Sequence, residues 1–545
     1  LGDSLFRCPR LRGQAAGPPG LWVDHDCCTL DGQPLRQQAD WLAALDQLAR
    51  VRGAFALAHW DGQRLLLARD PVGERTLYYS LTGPGGLAYS STVRELPFER
   101  RLDPLGLAYF LSCAYVPGRR SLLQGVHELL PGEVVEFAQG RLKSHRLWQP
   151  PGDTLEGDED ELRDLLRAHL EEAVRRRLPL EGEVGCTLSG GIDSSLVVAL
   201  AAALRPSAPL HTYSLSFGEG YANELPYSTA VARHCRTHHT VVELTPVQVV
   251  ERLDEVMGWL GKPNGDPLTI PNALLFQRAS ETVRVVLNGE GGDPSFGGPK
   301  NLPMLLGELY SSGGDPLERE ANYLRSHLKC YDELREMLLP EWWEPLAERA
   351  LETDLSPHLR APGQSLLRKL MQLNLVFKGA HHILPKVETI SYPFGVLPRS
   401  PLFDLEVVEL ALRLPPHLKL NGSVEKYLLK EAVRDLLPPV IVDRPKSGMM
   451  VPVEAWFSGP LLEEARSRLL DGLGNRGIFQ RDYLNKLLEG KLGGLRPRRG
   501  VKIWLLITLE CWLRSHWDQR PSAPLPASLE PARLNPRATG GARGG

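Results

Sequence analysis

The alternation of apolar and polar positions changes character along the chain. Up to about Trp148, short apolar runs such as 65–68 and 77–79 flank breakers such as Pro71-Val72-Gly73. This is the pattern of short strands and tight turns in a small mixed α/β domain. Gln149-Pro150-Pro151-Gly152-Asp153 reads as a linker. Leu162, Leu165, Leu166, Leu170 and Val174 then recur at helical spacing, predicting an amphipathic helix with all five on its buried face. There follow an apolar strand over 184–188, a helix through 196–204, a second strand over 211–217 and another apolar run, 283–287, ending in a glycine-rich loop. Strands alternating with helices argue for a parallel sheet covered by helices, with ligands at the carboxyl ends of the strands. Beyond Asn301, repeats such as Leu366, Leu367, Leu370 and Leu373 to Leu375 are helical. The segment 521–545, rich in Pro, Ala, Arg and Gly, is expected to be a disordered tail. The domains expected are therefore 1–148, 155–518 and the tail.

A chain of 545 residues exceeds one ordinary core. With 63 basic and 66 acidic residues and a formal charge of -3, electrostatics give no reason to expect nucleic acid or an anionic membrane as partner. Small-molecule chemistry is the better default. No apolar run reaches the roughly 18 residues of a bilayer span and no signal peptide is evident, so a soluble, cytoplasmic protein is expected. The 8 cysteines form no C-x-x-C pair and read as reduced thiols. His234, Cys235, His238 and His239 lack a second half at zinc spacing and read as ordinary packed or solvated side chains.

The chemistry is concentrated after the first strand of the alternating region. Ser189-Gly190-Gly191-Ile192-Asp193-Ser194-Ser195 leads directly into a helix. Paired glycines let the backbone approach a ligand, while hydroxyls and helix-start N–H groups supply donors for phosphate oxygens. Asp193 would repel bare phosphate, so its place there makes sense with Mg²⁺ between them. The loop lacks the lysine of the G-x-x-x-x-G-K-[ST] type.

This loop resembles the pyrophosphate motif of the asparagine synthetase family, whose members cleave ATP between the α and β phosphates. Leu287-Asn288-Gly289-Glu290-Gly291-Gly292-Asp293 with Phe296-Gly297-Gly298 resembles the family's second signature loop, and Val424-Glu425-Lys426-Tyr427-Leu428-Leu429-Lys430 its lysine-bearing helix. Arg399, Pro401 and Asp404, then Asp443-Arg444-Pro445-Lys446-Ser447-Gly448, match later blocks in order. Upstream, Gly53-Ala54-Phe55-Ala56-Leu57, Ala68-Arg69-Asp70-Pro71-Val72-Gly73 and Leu77-Tyr78-Tyr79 resemble structural strands of the family's glutaminase domain.

The resemblance implies an incomplete Ntn-type glutaminase-like domain followed by a Rossmann-like, adenine-nucleotide-α-hydrolase-like α/β synthetase domain with a helical extension. It implies ATP and Mg²⁺, with Asp193 and Asp293 as metal ligands. Leu188, Ser189, Gly190, Gly191, Asp193, Ser194, Ser195, Leu215, Asn288 and Gly289 would contact ATP or pyrophosphate. Lys426 would stabilise transition-state charge, and Glu290 would accept a proton from the attacking amine. Asparagine-forming members have Glu at the position of Glu290, whereas β-lactam-forming relatives have Tyr. The expected partners are a small carboxylate and ammonia or an amine, or glutamine if the N-terminus is truncated; a peptide substrate and a homodimer are left open.

Several positions depart from the family. Leu1 stands where the glutaminase needs a cysteine whose own α-amine is the base, Cys8 is internal, and Leu30-Asp31-Gly32-Gln33 is a poor glutamine pocket. The chain as given is expected not to hydrolyse glutamine, through either degeneration or a missing start. Pro294 replaces a usual Glu, Asn288 a Ser or Thr, and Leu397 a Glu, while Leu402-Phe403 reverses the usual order. Pro294 predicts a locally altered loop. Asparagine formation leads; a natural-product cyclase of lasso-peptide or β-lactam type and a weakly catalytic nucleotide-binding regulator are the alternatives.

Overall fold

The computed structural model describes residues 12–14, 19–82, 86–98, 101–298, 304–305, 315–445, 450–492 and 498–518. Leu1, Cys8, Lys446, Ser447, Gly448 and the tail 521–545 lie outside the described residues.

One compact unit comprises the described parts of Leu1–Glu99 and Gly125–Gln149. It contains two sheets. The larger has the order Arg141–Arg146, Glu133–Ala138, Arg64–Arg69, Val51–Trp60, Gly20–Leu30, Gln33–Pro34, all antiparallel. The smaller joins Arg12–Gln14, Leu87–Ser90, Tyr78–Leu81 and Val126–Glu128. Successive residues of a strand face opposite sides. Ala56 and Ala58 therefore join Tyr79, Leu87 and Tyr89 of the smaller sheet in one core, while Phe55 and Leu57 pack with Trp41 and Ala44 of the helix Gln38–Ala44. Both faces are buried, which explains the near-continuous apolar run. The Arg69-Asp70 pair builds the following turn. Arg69 is ion-paired to Glu128 at 2.8 Å, and the Asp70 carboxylate accepts N–H bonds from Gly73, Glu74 and Arg75 at 2.7, 2.9 and 3.0 Å.

The second unit comprises Arg100–Gln124 and Pro150–Asp518. Residues 100–124, expected from sequence in the first domain, thus pack with the second: the Tyr109 hydroxyl donates to Asp354 at 2.8 Å. The helix Glu159–Arg177 is capped by Asp158, carries acids in its first turn and Arg175, Arg176 and Arg177 in its last, matching its dipole at both ends. Leu162, Leu166, Leu170, Ala173 and Val174 are buried, but Leu165 is 38% exposed. At 100° per residue it lies at the margin of the apolar stripe, and Ala173 takes the central place.

The unit's parallel sheet has the order His238–Glu243, Leu210–Ser216, Val184–Thr187, Val285–Leu287, Leu397–Arg399. Chain order runs outward in both directions from Val184–Thr187. The direction reverses between Val184–Thr187 and Val285–Leu287, and at such a reversal the loops leaving the carboxyl ends diverge and open a crevice. The strand Leu397–Arg399 was not anticipated, because a central proline argues against a strand; Pro398 is tolerated because the strand is at the edge. The rest of the described unit is mainly helical, as expected, including Leu366–Leu373, Leu405–Arg413 and Arg499–Leu513. No helix among the described residues is long and apolar enough to cross a membrane.

The segment 424–430 departs from its expected helix. Val424–Glu425 pairs with Leu420–Asn421 as a short hairpin, and the helix begins only at Tyr427. Lys426 stands between them in the left-handed region, φ 56° and ψ 37°.

Candidate active site at the reversal point of the sheet

The two glycine-rich loops leave the two adjacent strands at which the order reverses. The first opens with Leu188, whose N–H donates to the Tyr213 carbonyl at 2.8 Å and whose carbonyl accepts from the Ser214 hydroxyl. Leu188 and Leu215 are thereby fixed near the carboxyl ends of neighbouring strands. The hydroxyls of Ser189 and Ser194 lie 3.0 Å apart, the Ser189 N–H donates to the Ser194 hydroxyl at 3.1 Å, and the Gly191 N–H to the Ser189 hydroxyl at 3.3 Å. Ile192–Leu204 then forms the helix, with Gly191 as its side-chain-less cap. Gly190 has φ +83°, and a Cβ there would lie 2.6 Å from the Ser228 nitrogen, so only glycine fits.

The second loop is pressed against the first. A Cβ on Gly289 would lie 2.4 Å from the Ser194 nitrogen, and one on Gly292 would lie 2.1 Å from the Asp193 carboxylate. The glycine run is thus a requirement of close approach. Asn288 continues the pairing of Val285–Leu287, donating its N–H to the Arg399 carbonyl at 3.0 Å, and its side-chain oxygen accepts the Glu290 N–H at 3.0 Å. Asp293 lies in the one-turn helix Gly292–Phe296, as does Pro294. A first-turn N–H has no intrahelical partner, so the proline is accommodated there without a lost bond.

Lys426 joins the two loops. Its ammonium lies 2.7 and 2.5 Å from the two oxygens of Asp193 and 2.6 Å from Asp293. Lys426 is only 1% exposed, while the Asp193 and Asp293 side chains retain 16% and 39%. The expectation of a lysine within the helix is corrected by its left-handed backbone just before Tyr427, a conformation that costs a residue with a Cβ and persists where its surroundings enforce it.

Of the residues expected from sequence, Ser189, Gly190, Gly191, Asp193, Ser194, Gly289, Asp293 and Lys426 are joined by these contacts, with Asn288 and Glu290 on the same loop. Ser195 lies in the first turn of the helix beside them; its hydroxyl is buried with no hydrogen-bond partner among the described residues. Arg399 and Asp404 serve the fold instead. Arg399 donates to the Arg177 carbonyl at 2.7 Å, and Asp404 accepts from Arg177 at 2.5 Å.

Other contributors were not assigned roles from sequence. The Arg444 guanidinium stacks 3.8 Å over the Tyr227 ring, pairs with Glu224 at 2.5 Å and donates to the Gly190 carbonyl at 3.3 Å, clamping the loop. Arg444 lies in a recognised block; Tyr227 and Glu224 had no sequence signal. Lys386 is buried and paired with Asp266 at 2.7 Å. Burial pushes its ammonium down, but the charges of Asp266 and Glu290 outweigh that and hold it above its ordinary range. The Lys386 ammonium is thus coupled electrostatically to both carboxylates. The histidine cluster is held by ordinary contacts: His239 Nδ1 lies 2.9 Å from the Thr212 hydroxyl, and His234 Nε2 3.1 Å from the Leu436 carbonyl.

Comparison with known proteins places the chain in a family. The asparagine synthase family model matches residues 165–514, and a glutamine amidotransferase domain model matches 41–148. A Mycobacterium tuberculosis protein, provisionally named as a glutamine-hydrolysing asparagine synthetase, is 28% identical over 513 residues, covering 85% of this chain and 77% of that protein. Glutamine-hydrolysing asparagine synthetase 1 of Bacillus subtilis is 24% identical, covering 87% and 79%. The carboxyethyl-arginine beta-lactam-synthase of Streptomyces clavuligerus is 27% identical, covering 73% and 64%. The chain belongs to the asparagine synthase family, and it is an ATP-dependent ligase that forms amide bonds.

Proposed function

We propose that the chain joins ammonia or a simple amine to a carboxylate, with aspartate as acceptor and asparagine as product. A carboxylate oxygen attacks the α-phosphorus of ATP, the bond between the α and β phosphates breaks, and pyrophosphate leaves with the developing charge. The amine then attacks the acyl carbon, its proton passes to Glu290, and AMP departs. The single observation behind this reading is the convergence of Asp193, Asp293 and Lys426 where the two loops meet. Two carboxylates around one cation fit a site for Mg²⁺ against phosphate. Asp193 and Asp293 would hold Mg²⁺, which when bound neutralises phosphate charge. Lys426 is a cation already held in place to stabilise charge developing on pyrophosphate. Leu188, Leu215, Asn288 and Gly289 would contact the nucleotide through backbone groups, and the donors of 189–195 would cradle the pyrophosphate. Dependence on ATP supports the cytoplasm as the compartment.

The test is formation of AMP and pyrophosphate over a panel of carboxylates and amines, with Asp193→Ala and Lys426→Ala as controls. Aspartate with ammonia is expected to give AMP and asparagine, and Glu290→Gln to slow amide formation by about 10²-fold or more. No AMP with aspartate, but AMP with a peptide or a β-amino acid substrate, would overturn the asparagine assignment. That outcome would favour ring closure on an internal amine, a second reading supported by the similarity to the Streptomyces clavuligerus protein.

A further inference from the structure

Asn288 is 3% exposed and its carboxamide is fixed from one side only. Its Oδ1 accepts the Glu290 N–H at 3.0 Å and the Ser400 hydroxyl at 2.9 Å. The backbone N–H of Glu290 can only donate, so the oxygen must face it and the amide orientation follows. Nδ2 then points away from both, buried and with no partner among the described residues. A desolvated donor left unpaired is costly. A rigidly anchored one is what a ligand oxygen requires.

We propose that Asn288 Nδ2 is a catalytic hydrogen-bond donor to the acyl oxygen of the activated carboxylate. This rests on the functional reading above. When the amine nitrogen bonds to the acyl carbon, the carbonyl π pair moves onto that oxygen; it returns as the bond from acyl carbon to the AMP oxygen breaks. A base for the amine proton and a donor for the oxygen must address the same carbon. The Asn288–Glu290 hydrogen bond ties those two groups into one turn. The phosphate end is served by Asp193, Asp293 and Lys426, charged groups suited to a polyanion; a neutral, buried amide suits a single developing charge.

The test is Asn288→Ser. A serine hydroxyl can still accept the Glu290 N–H in the same two-residue turn, but its one O–H sits on a shorter side chain and does not occupy the place of the amide donor. Aspartate-dependent exchange of pyrophosphate into ATP is expected to change less than about 3-fold, while single-turnover amide formation falls by about 10²-fold. Calorimetric titration with β-aspartyl-sulfamoyl adenosine, a stable adenylate analogue bearing the acyl carbonyl, is expected to show roughly tenfold weaker binding, with AMP affinity unchanged. Ser400→Ala, which removes one anchor and keeps the donor, is expected to give the same pattern at smaller size. An equal loss of AMP affinity would assign Nδ2 to the nucleotide and overturn the proposal, as would unchanged rates and affinities in both variants. If the unmodified chain forms no AMP with any carboxylate, the functional reading falls and this assignment with it. A working chain with a silent Asn288→Ser overturns this assignment alone.

Discussion

The ammonium of Lys426 lies 2.7 and 2.5 Å from the two carboxylate oxygens of Asp193, in contact with both at once. A cation held this way is oriented before any ligand arrives. Lys426→Ala is expected to lower the rate of AMP formation by about 10²-fold or more. Single-turnover kinetics with saturating ATP would check it, and a loss confined to KM would contradict a role in charge stabilisation.

Asp293 is the more exposed of the two carboxylates, at 39%, and so the one more open to an incoming ion. Asp293→Asn is expected to raise the Mg²⁺ concentration for half-maximal activity by about tenfold or more. Chelation should abolish AMP formation, and added Mg²⁺ should restore it. A Mg²⁺ titration of the variant beside the parent measures the shift.

Asp404 supports the sheet rather than the chemistry. Burial pushes its carboxyl up, but the charges of Arg177 and Arg176 outweigh this and hold it below the ordinary 3.8. A depressed folded-state value stabilises above 3.8, and that contribution is lost as pH falls through the lowered value. Asp404→Asn leaves Arg177 buried without its carboxylate and is expected to cost about 3–5 kcal/mol near neutral pH. Urea unfolding from pH 7 to 3 should show the gap between variant and parent narrowing on the acid side.

Lys419 works in the opposite sense. It is 3% exposed, its ammonium donates to the Leu412 carbonyl at 3.2 Å, and burial pushes it from 10.5 down to about 7. The unfolded chain then holds the proton more tightly than the folded one. The resulting destabilisation is complete below about 7 and fades as pH rises towards 10.5. Lys419→Met is expected to raise the melting temperature at pH 6 to 7 through a gain on the order of a few kcal/mol. Melting curves against pH should show that gain shrinking between pH 7 and 10.

Much of the synthetase unit was legible because its central strands are short, apolar and followed by glycines that only a close-packed crevice requires. Ser189 to Ser195 and Asn288 to Asp293 could be paired by type, and the fold places them on adjacent strands. The backbone of Lys426 was not legible: its neighbours favour a helix, and only the hairpin formed with Leu420–Asn421 delays helix entry to Tyr427. His238–Glu243 carries polar residues on a half-exposed edge, so its strand character is set by pairing with Leu210–Ser216. Residues 100–124 give no composition break; their membership of the second unit follows from contacts such as Gly265 N–H to the Ala114 carbonyl at 2.8 Å.

The proline in Leu397–Arg399 also bears on how molecules meet. Hydrogen bonds to the neighbouring strand are made by its outer residues: Leu397 donates to the Arg284 carbonyl at 2.8 Å and Arg399 accepts from Asn288 at 3.0 Å. Pro398 therefore turns outward the one position where an N–H is missing. Pro398 and Arg399 are buried as well, so a strand from another copy meets neither an open edge nor a central donor. This edge of the sheet is thereby closed to intermolecular β-pairing twice over, by the cover on Pro398 and Arg399 and by the missing donor.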